Sequence, residues 1–250
     1  VSKARPLTPA EWHAGEDASR LLKHLQQHHL LGRRPGARRK LRLLAVAFCR
    51  SAWGDLTDPG CRAVIETAER FADGAAPRAE LERAAATARR NYQRLESPDG
   101  GESFRRQTAR EMWLLARWTA EPGAGVGTID LVALGVPLLL VRKHLPLEIG
   151  RWAGVVQINA GFLTPLVRCL FGDPFRPVAF APAWNTSAAL GLARGVYDDR
   201  AWDRLPILAD ALEDAGCDEP AVLAHCRDAA DHARGCWVID GLLGRGIDWR

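Results

Sequence analysis

The sequence predicts an all-α protein, on three observations. Apolar residues recur at three- and four-residue spacing over most of the chain, as one buried face of a helix requires. These stretches are punctuated by Asp-Pro, Pro and Gly where helices start and stop. No stretch shows the alternation and tight turns of paired strands. Residues 38–54 put Leu41, Leu44, Ala45, Phe48 and Ala52 on one stripe with Arg38, Arg39, Arg42 and Arg50 off it, ending near Gly54. Asp58 as N-cap and Pro59 as first helical residue open a second helix, striped by Val64, Ile65, Ala68, Phe71 and Ala72 and stopped by Gly74. A third runs from Pro77 through Leu81, Ala84, Ala85, Ala88, Tyr92 and Leu95 to SPDGG at 97–101. A fourth, 102–120, carries Phe104, Met112, Leu115 and Trp118 and ends at EPGAGVG.

Residues 129–170 are apolar but broken by glycines and prolines, which fits short buried helices or a strand or two; the helical reading is preferred. Pro174, Pro177 and Pro182 make 171–184 an extended connector pinned by aromatics. Helices then follow from Asn185 or Thr186 to about Asp199, from an Asp203 cap to Gly216, from Asp218 with Pro220, and from Gly235 to Leu243. The division expected is a helical part at 1–122, an apolar connector at 123–170 and a helical part at 171–250, with one continuous domain as the alternative.

At 250 residues, with 47% hydrophobic and 26% charged, the chain can bury a proper core and matches neither a disordered nor a membrane-spanning composition. Its net charge of +4 conceals a gradient. Residues 1–50 hold eleven Lys and Arg against three acidic residues, whereas 197–250 hold six Arg against twelve. Attraction between the ends, or a polarised surface, is expected. VSKARPLTPAEW lacks the apolar run of a secretory signal, the longest apolar stretch is too short to cross a bilayer, and the six cysteines form no CxxC pair. The expectation is a cytoplasmic protein with reduced thiols and no membrane partner. The nine tryptophans are expected as wedges between helices, or as anchors of a protein interface.

Two stretches, RKLRLLAVAFCR with AERFADG, and FGDPFRPV with DRLPILADALEDAGC, LAHCR and HARGCWVID, resemble an uncharacterised family of bacterial all-helical proteins expanded in paralogous copies. RLPILADALEDAGC also resembles a short motif of the form RLVYADWLEERGD found beside leucine-rich repeats. The resemblance implies a helical accessory or interaction module and brings no catalytic residues.

The tail holds the densest candidate chemistry: Cys217, His225, Cys226, His232 and Cys236. Thiolate and imidazole donors can build a tetrahedral zinc site, and His232 and Cys236 stand four residues apart. Gly235 argues against a continuous helix there, and His225 and Cys226 diverge by about 100° on a helix, so at most one faces a given ion. Burial or capping of each residue is the competing reading. The same residues admit a cysteine nucleophile with His225 or His232 as base, aided by Arg227 and Arg234. Arg33, Arg34, Arg38, Arg39, Lys40 and Arg42 could contact nucleic-acid phosphates, or form the solvated face of their helix. His24, His28 and His29 form a lesser metal or pH-sensitive patch, against ordinary surface histidines. Gly123, Gly125 and Gly127 suggest a phosphate loop but lack a preceding strand and a following GK[ST], which favours a linker. The acidic pairs of YDDRAWDR and ALEDAG read as caps or surface. The functional expectation is a non-enzymatic interaction or regulatory module with an unidentified protein partner and no cofactor; zinc or thiol chemistry in the tail and nucleic-acid binding at the N-terminus are the alternatives.

Overall fold

The computed structural model describes residues 5–15, 17–27, 35–51, 53–54, 56–96, 104–121 and 163–247. Among them are eleven α-helices and two short 3₁₀ turns, with no strand, as the periodicity predicts. No helix among them is long and apolar enough to cross a membrane. The described residues fall into two compact units, one within 16–161 and the other made of 5–15 with 163–247. Residues 5–15 therefore group with the tail rather than with the helices that follow them. Most of the expected connector lies outside the described residues, as do Gly123, Gly125 and Gly127.

The first unit begins with α2 (Ala18–Gln27), which buries Ala18, Leu21, Leu22 and Leu25. A four-helix bundle follows: α3 (Pro35–Ser51), α4 (Pro59–Ala72), α5 (Arg78–Glu96) and α6 (Phe104–Ala120). The Asp58 carboxylate accepts from the Gly60 and Cys61 amides, satisfying two of the donors that a helix start leaves open. Helices α4 and α6 each pack against the other three. Val46, Val64, Ile65, Ala68, Leu81, Ala85, Met112, Trp113 and Ala116 form the shared core. Complete burial of a side chain such as Ile65 or Leu81 contributes about 2 kcal/mol. Cys49 and Cys61 lie in the same core, where burial pushes the Cys49 thiol up to about 12 and raises Cys61 as well.

The second unit starts with α1 (Pro9–Ala14), opened by a reciprocal cap in which Thr8 Oγ1 accepts from the Glu11 amide while Glu11 accepts from the Thr8 amide. Trp12 is buried, and Arg168 donates to the carbonyls of Trp12 and Gly15. His13 pairs with Asp173 at 3.0 Å. The remaining helices are short: α7 (Thr164–Phe171), α8 (Ser187–Asp199), α9 (Leu205–Asp214), α10 (Pro220–Arg227) and α11 (Trp237–Leu242). Helix α11, six residues long like α1, touches α7, α8 and α10 and so joins three other helices of the unit. The proline-rich stretch before α8 is irregular, with a turn at Pro174–Phe175 that Asp173 closes and the 3₁₀ turn Pro182–Trp184, rather than extended throughout as expected. Phe180 pins it, meeting Trp184 and Trp237 edge-on at 6.0 and 5.9 Å.

Two expected caps are displaced. Thr186 caps α8, but α9 has Arg204 at its N-cap with no side-chain bond, because a 3₁₀ turn over Trp202–Arg204 places Asp203 inside the preceding turn. Helix α10 is capped by Glu219, not Asp218. Trp12, Trp113 and Trp184 are buried as wedges, while Trp53 is partly buried, with the guanidinium groups of Arg50 and Arg62 over its ring at 3.9 and 5.2 Å. Trp152 and Trp249 lie outside the described residues.

Candidate metal centre

Four side chains from four places in the second unit come together: Cys169, His225, His232 and Cys236. Cys169 sits in α7, whose Leu166, Val167, Leu170 and Phe171 are buried around it. The chain leaves α7 through Gly172 at φ +65°, and a Cβ there would stand 3.1 Å from the Trp237 ring, so both the conformation and the close approach require glycine. His225 occupies the last turn of α10. That helix buries Val222 and Cys226 on its inner face and is fastened to α9 by Arg227, which donates to Asp210 and Glu213.

Between α10 and α11 the chain makes an irregular loop, 228–236. It opens with the Asp228 carboxylate accepting from the Ala230 amide. Gly235, at φ +89°, turns the backbone into Cys236, and the Cys236 carbonyl then receives the first bond of α11 from the Asp240 amide. Because α11 packs against both α7 and α10, its N-cap cysteine meets Cys169 from one and His225 from the other.

The four donor atoms all lie within 4.8 Å of one another. Cys169 Sγ is 3.6 Å from His232 Nδ1, and His225 Nε2 is 3.2 Å from Cys236 Sγ. Zinc bond lengths of about 2.3 Å to sulfur and 2.0–2.1 Å to nitrogen give a tetrahedral S···N edge of about 3.5 Å, between the two observed distances. His232 Nε2 faces the Asp228 carbonyl at 3.2 Å. An N–H at that position donates to the carbonyl and leaves the Nδ1 lone pair directed at the cluster, the outer-shell arrangement that orients a ligating histidine. The His225 and His232 rings meet edge-on at 4.9 Å, and Trp237 lies 5.5 Å from His225.

The electrostatics favour a thiolate. Burial works against the charged form of Cys236, but hydrogen bonds from Cys169, His225 and His232 together with the His225 charge outweigh it and hold Cys236 well below the ordinary thiol range. For His232 burial lowers the pKa, while the contacts with Cys236 and the Asp228 carbonyl outweigh it and raise it. Cys169 and Cys236 are 2% and 0% exposed, whereas both histidines are half-buried.

Of the five tail residues singled out by sequence, His225, His232 and Cys236 join the cluster and Cys217 and Cys226 do not. Cys226 points with Val222 into the core of the unit, 0% exposed, and burial, with Cys236 and Cys217 nearby, pushes its thiol up. Cys217 follows the Gly216 turn at the end of α9, its amide donating to the Leu212 carbonyl at 2.8 Å. Its thiol is likewise raised, chiefly by burial. Cys169, the fourth member, lies too far from the tail for any spacing rule to reach. Arg227 and Arg234, expected to assist a thiolate, are engaged elsewhere, Arg227 with the α9 carboxylates and Arg234 with the Asp198 carbonyl and the Tyr197 ring.

The basic run, offered for phosphate contact or as a solvated helix face, is in part buried. Lys40 and Arg42 are buried, Arg39 pairs with Asp73 at 2.9 Å, and Arg38 alone of the described members is exposed. Arg42 donates to the carbonyls of Thr119 and Glu121 at the end of α6, and burial lowers its pKa to about 10. Arg33 and Arg34 lie outside the described residues. His24 is buried rather than a surface histidine, and His28 and His29 lie outside the described residues. Compared with known proteins, the chain matches no family model, no curated protein and no solved structure.

Proposed function

We propose that this chain is a non-enzymatic helical module whose second unit is built around one structural zinc ion, held by Cys169, His225, His232 and Cys236. The observation that carries this reading is the convergence of two sulfur and two nitrogen donors within 4.8 Å, drawn from α7, α10 and the loop that ends at the N-cap of α11. Two sulfur and two imidazole donors suit zinc better than magnesium or calcium, which take oxygen donors. Four protein donors complete the coordination, whereas a catalytic zinc keeps a position for water. The burial of both sulfurs agrees with a closed site. A cysteine nucleophile acting on an organic substrate needs a path of that substrate's size, and Cys226 and Cys236 are 0% exposed.

Metal analysis of protein purified without chelator tests the proposal. One zinc per chain is expected, lost in Cys169→Ser and in Cys236→Ser and kept in Cys226→Ser. Protein without bound metal, or a Cys226→Ser variant that loses it, would overturn the assignment.

A further inference from the structure

We propose that this site is a peroxide-responsive zinc-release switch, in which oxidation joins Cys169 to Cys236 and expels the ion. The inference rests on the zinc reading above and adds to it a regulation of the same site.

Three features of the geometry lead there. First, the site's two sulfurs belong to one four-atom cluster, so the two thiolates that hold the metal are also a ready disulfide pair. A tetrahedral zinc site separates its sulfurs by about 3.8 Å, and a disulfide needs about 2.05 Å, so they must close by less than about 2 Å. Second, the sulfurs come from elements already packed together, α7 and the N-cap of α11. A bond between them encloses α8, α9 and α10 in a roughly 70-residue loop, the long-loop case in which a disulfide most restricts the unfolded chain. The oxidised unit thus retains a cross-link between the same two elements after the metal has gone. Third, the histidines form the accessible side. His232 rides on a loop whose Asp228, Ala229 and Asp231 are exposed, while the sulfurs lie beneath. A small peroxide approaches the sulfurs from this side, where a larger substrate has no path.

The chemistry balances with a peroxide as the two-electron oxidant. One thiolate attacks the peroxide, the O–O bond breaks, and a sulfenic acid forms with hydroxide as leaving group. The second thiolate attacks that sulfur and expels a second hydroxide, forming the S–S bond. Two protons convert the hydroxides to water, and zinc leaves as the hydrated divalent ion when its two sulfur ligands are lost. The imidazoles of His225 and His232 are unchanged.

The test uses the full zinc-loaded chain with hydrogen peroxide, a chromogenic zinc chelator, a thiol count and peptide mapping. The expected result is one zinc released as the thiol count falls from six to four per chain, with Cys169 linked to Cys236. Helicity is retained after oxidation, and thiol reductant with added zinc restores the starting state. Cys226→Ser should behave identically. Zinc retained under peroxide, release accompanied by sulfinic acid alone, or a Cys226–Cys236 disulfide would each overturn the switch while leaving the zinc site standing. Absence of zinc from the starting protein would overturn both.

Discussion

The four-helix bundle and the unit around α11 are held by different means. The bundle uses helices of 17, 14, 19 and 17 residues that share one apolar core. The other unit is built from helices of 6, 8, 13, 10, 8 and 6 residues, the last of which touches three of the others. Isolated helices shorter than about 12–15 residues are marginal in water, so short ones depend on what ties them together. The bundle reinforces its core with buried charge: Arg50 reaches the nearly buried Glu69, and Arg42 caps the carbonyl end of α6. The short-helix unit instead joins α7, α10 and the start of α11 through one polar cluster. Long shared contact stabilises the first; in the zinc reading, a point of cross-linking adds to the buried apolar side chains of the second.

That contrast is most strongly tested by removing the cross-link. Chelation, or Cys236→Ala, should abolish amide-exchange protection across 163–247 while leaving 35–120 protected, since the binding free energy of a structural zinc, on the order of 10 kcal/mol, is largely folding free energy. Uniform loss of protection in both units would contradict the division. In the bundle the largest expected single-residue effect comes from Leu81→Ala, about 3 kcal/mol in denaturant unfolding, with zinc content unchanged. Gly172→Ala should cost about 2 kcal/mol and weaken zinc retention in competition with a chelator, because the new methyl group presses on Trp237, which also contacts His225. Smallest are the caps. Asp58→Ala and Thr8→Ala should each lower stability by about 1 kcal/mol, the first without any change in zinc affinity.

Local rules made the bundle legible. The Asp58-Pro59 start, the Val64, Ile65, Ala68 stripe and the Gly74 stop are all contained within a few residues, and the structure places them as the periodicity requires. The cap at Thr8 was missed, although Thr followed by Glu three residues later carries its signal. Asp203 and Asp218 misled because a 3₁₀ turn or a neighbouring Glu can take the position that a capping preference alone assigns.

The candidate site was legible only in part, for a physical reason. Helix geometry correctly required that His225 and Cys226 diverge, but which of them meets the cluster is decided by where α10 finds its core, and that core takes Cys226. Cys169 is brought in by the packing of α7 on α11, a tertiary contact with no counterpart in sequence spacing. The basic run misled in the opposite direction, since Lys40 and Arg42 look like surface and are buried by their neighbours.

Cobalt substitution tests the central claim most directly, because the visible spectrum of Co(II) reports both coordination geometry and thiolate ligation. One Co(II) per chain with the intense bands of a tetrahedral site and thiolate charge transfer, lost on adding zinc, is the predicted result. A weak six-coordinate spectrum, or binding that survives replacement of both Cys169 and Cys236, would contradict a closed four-ligand centre.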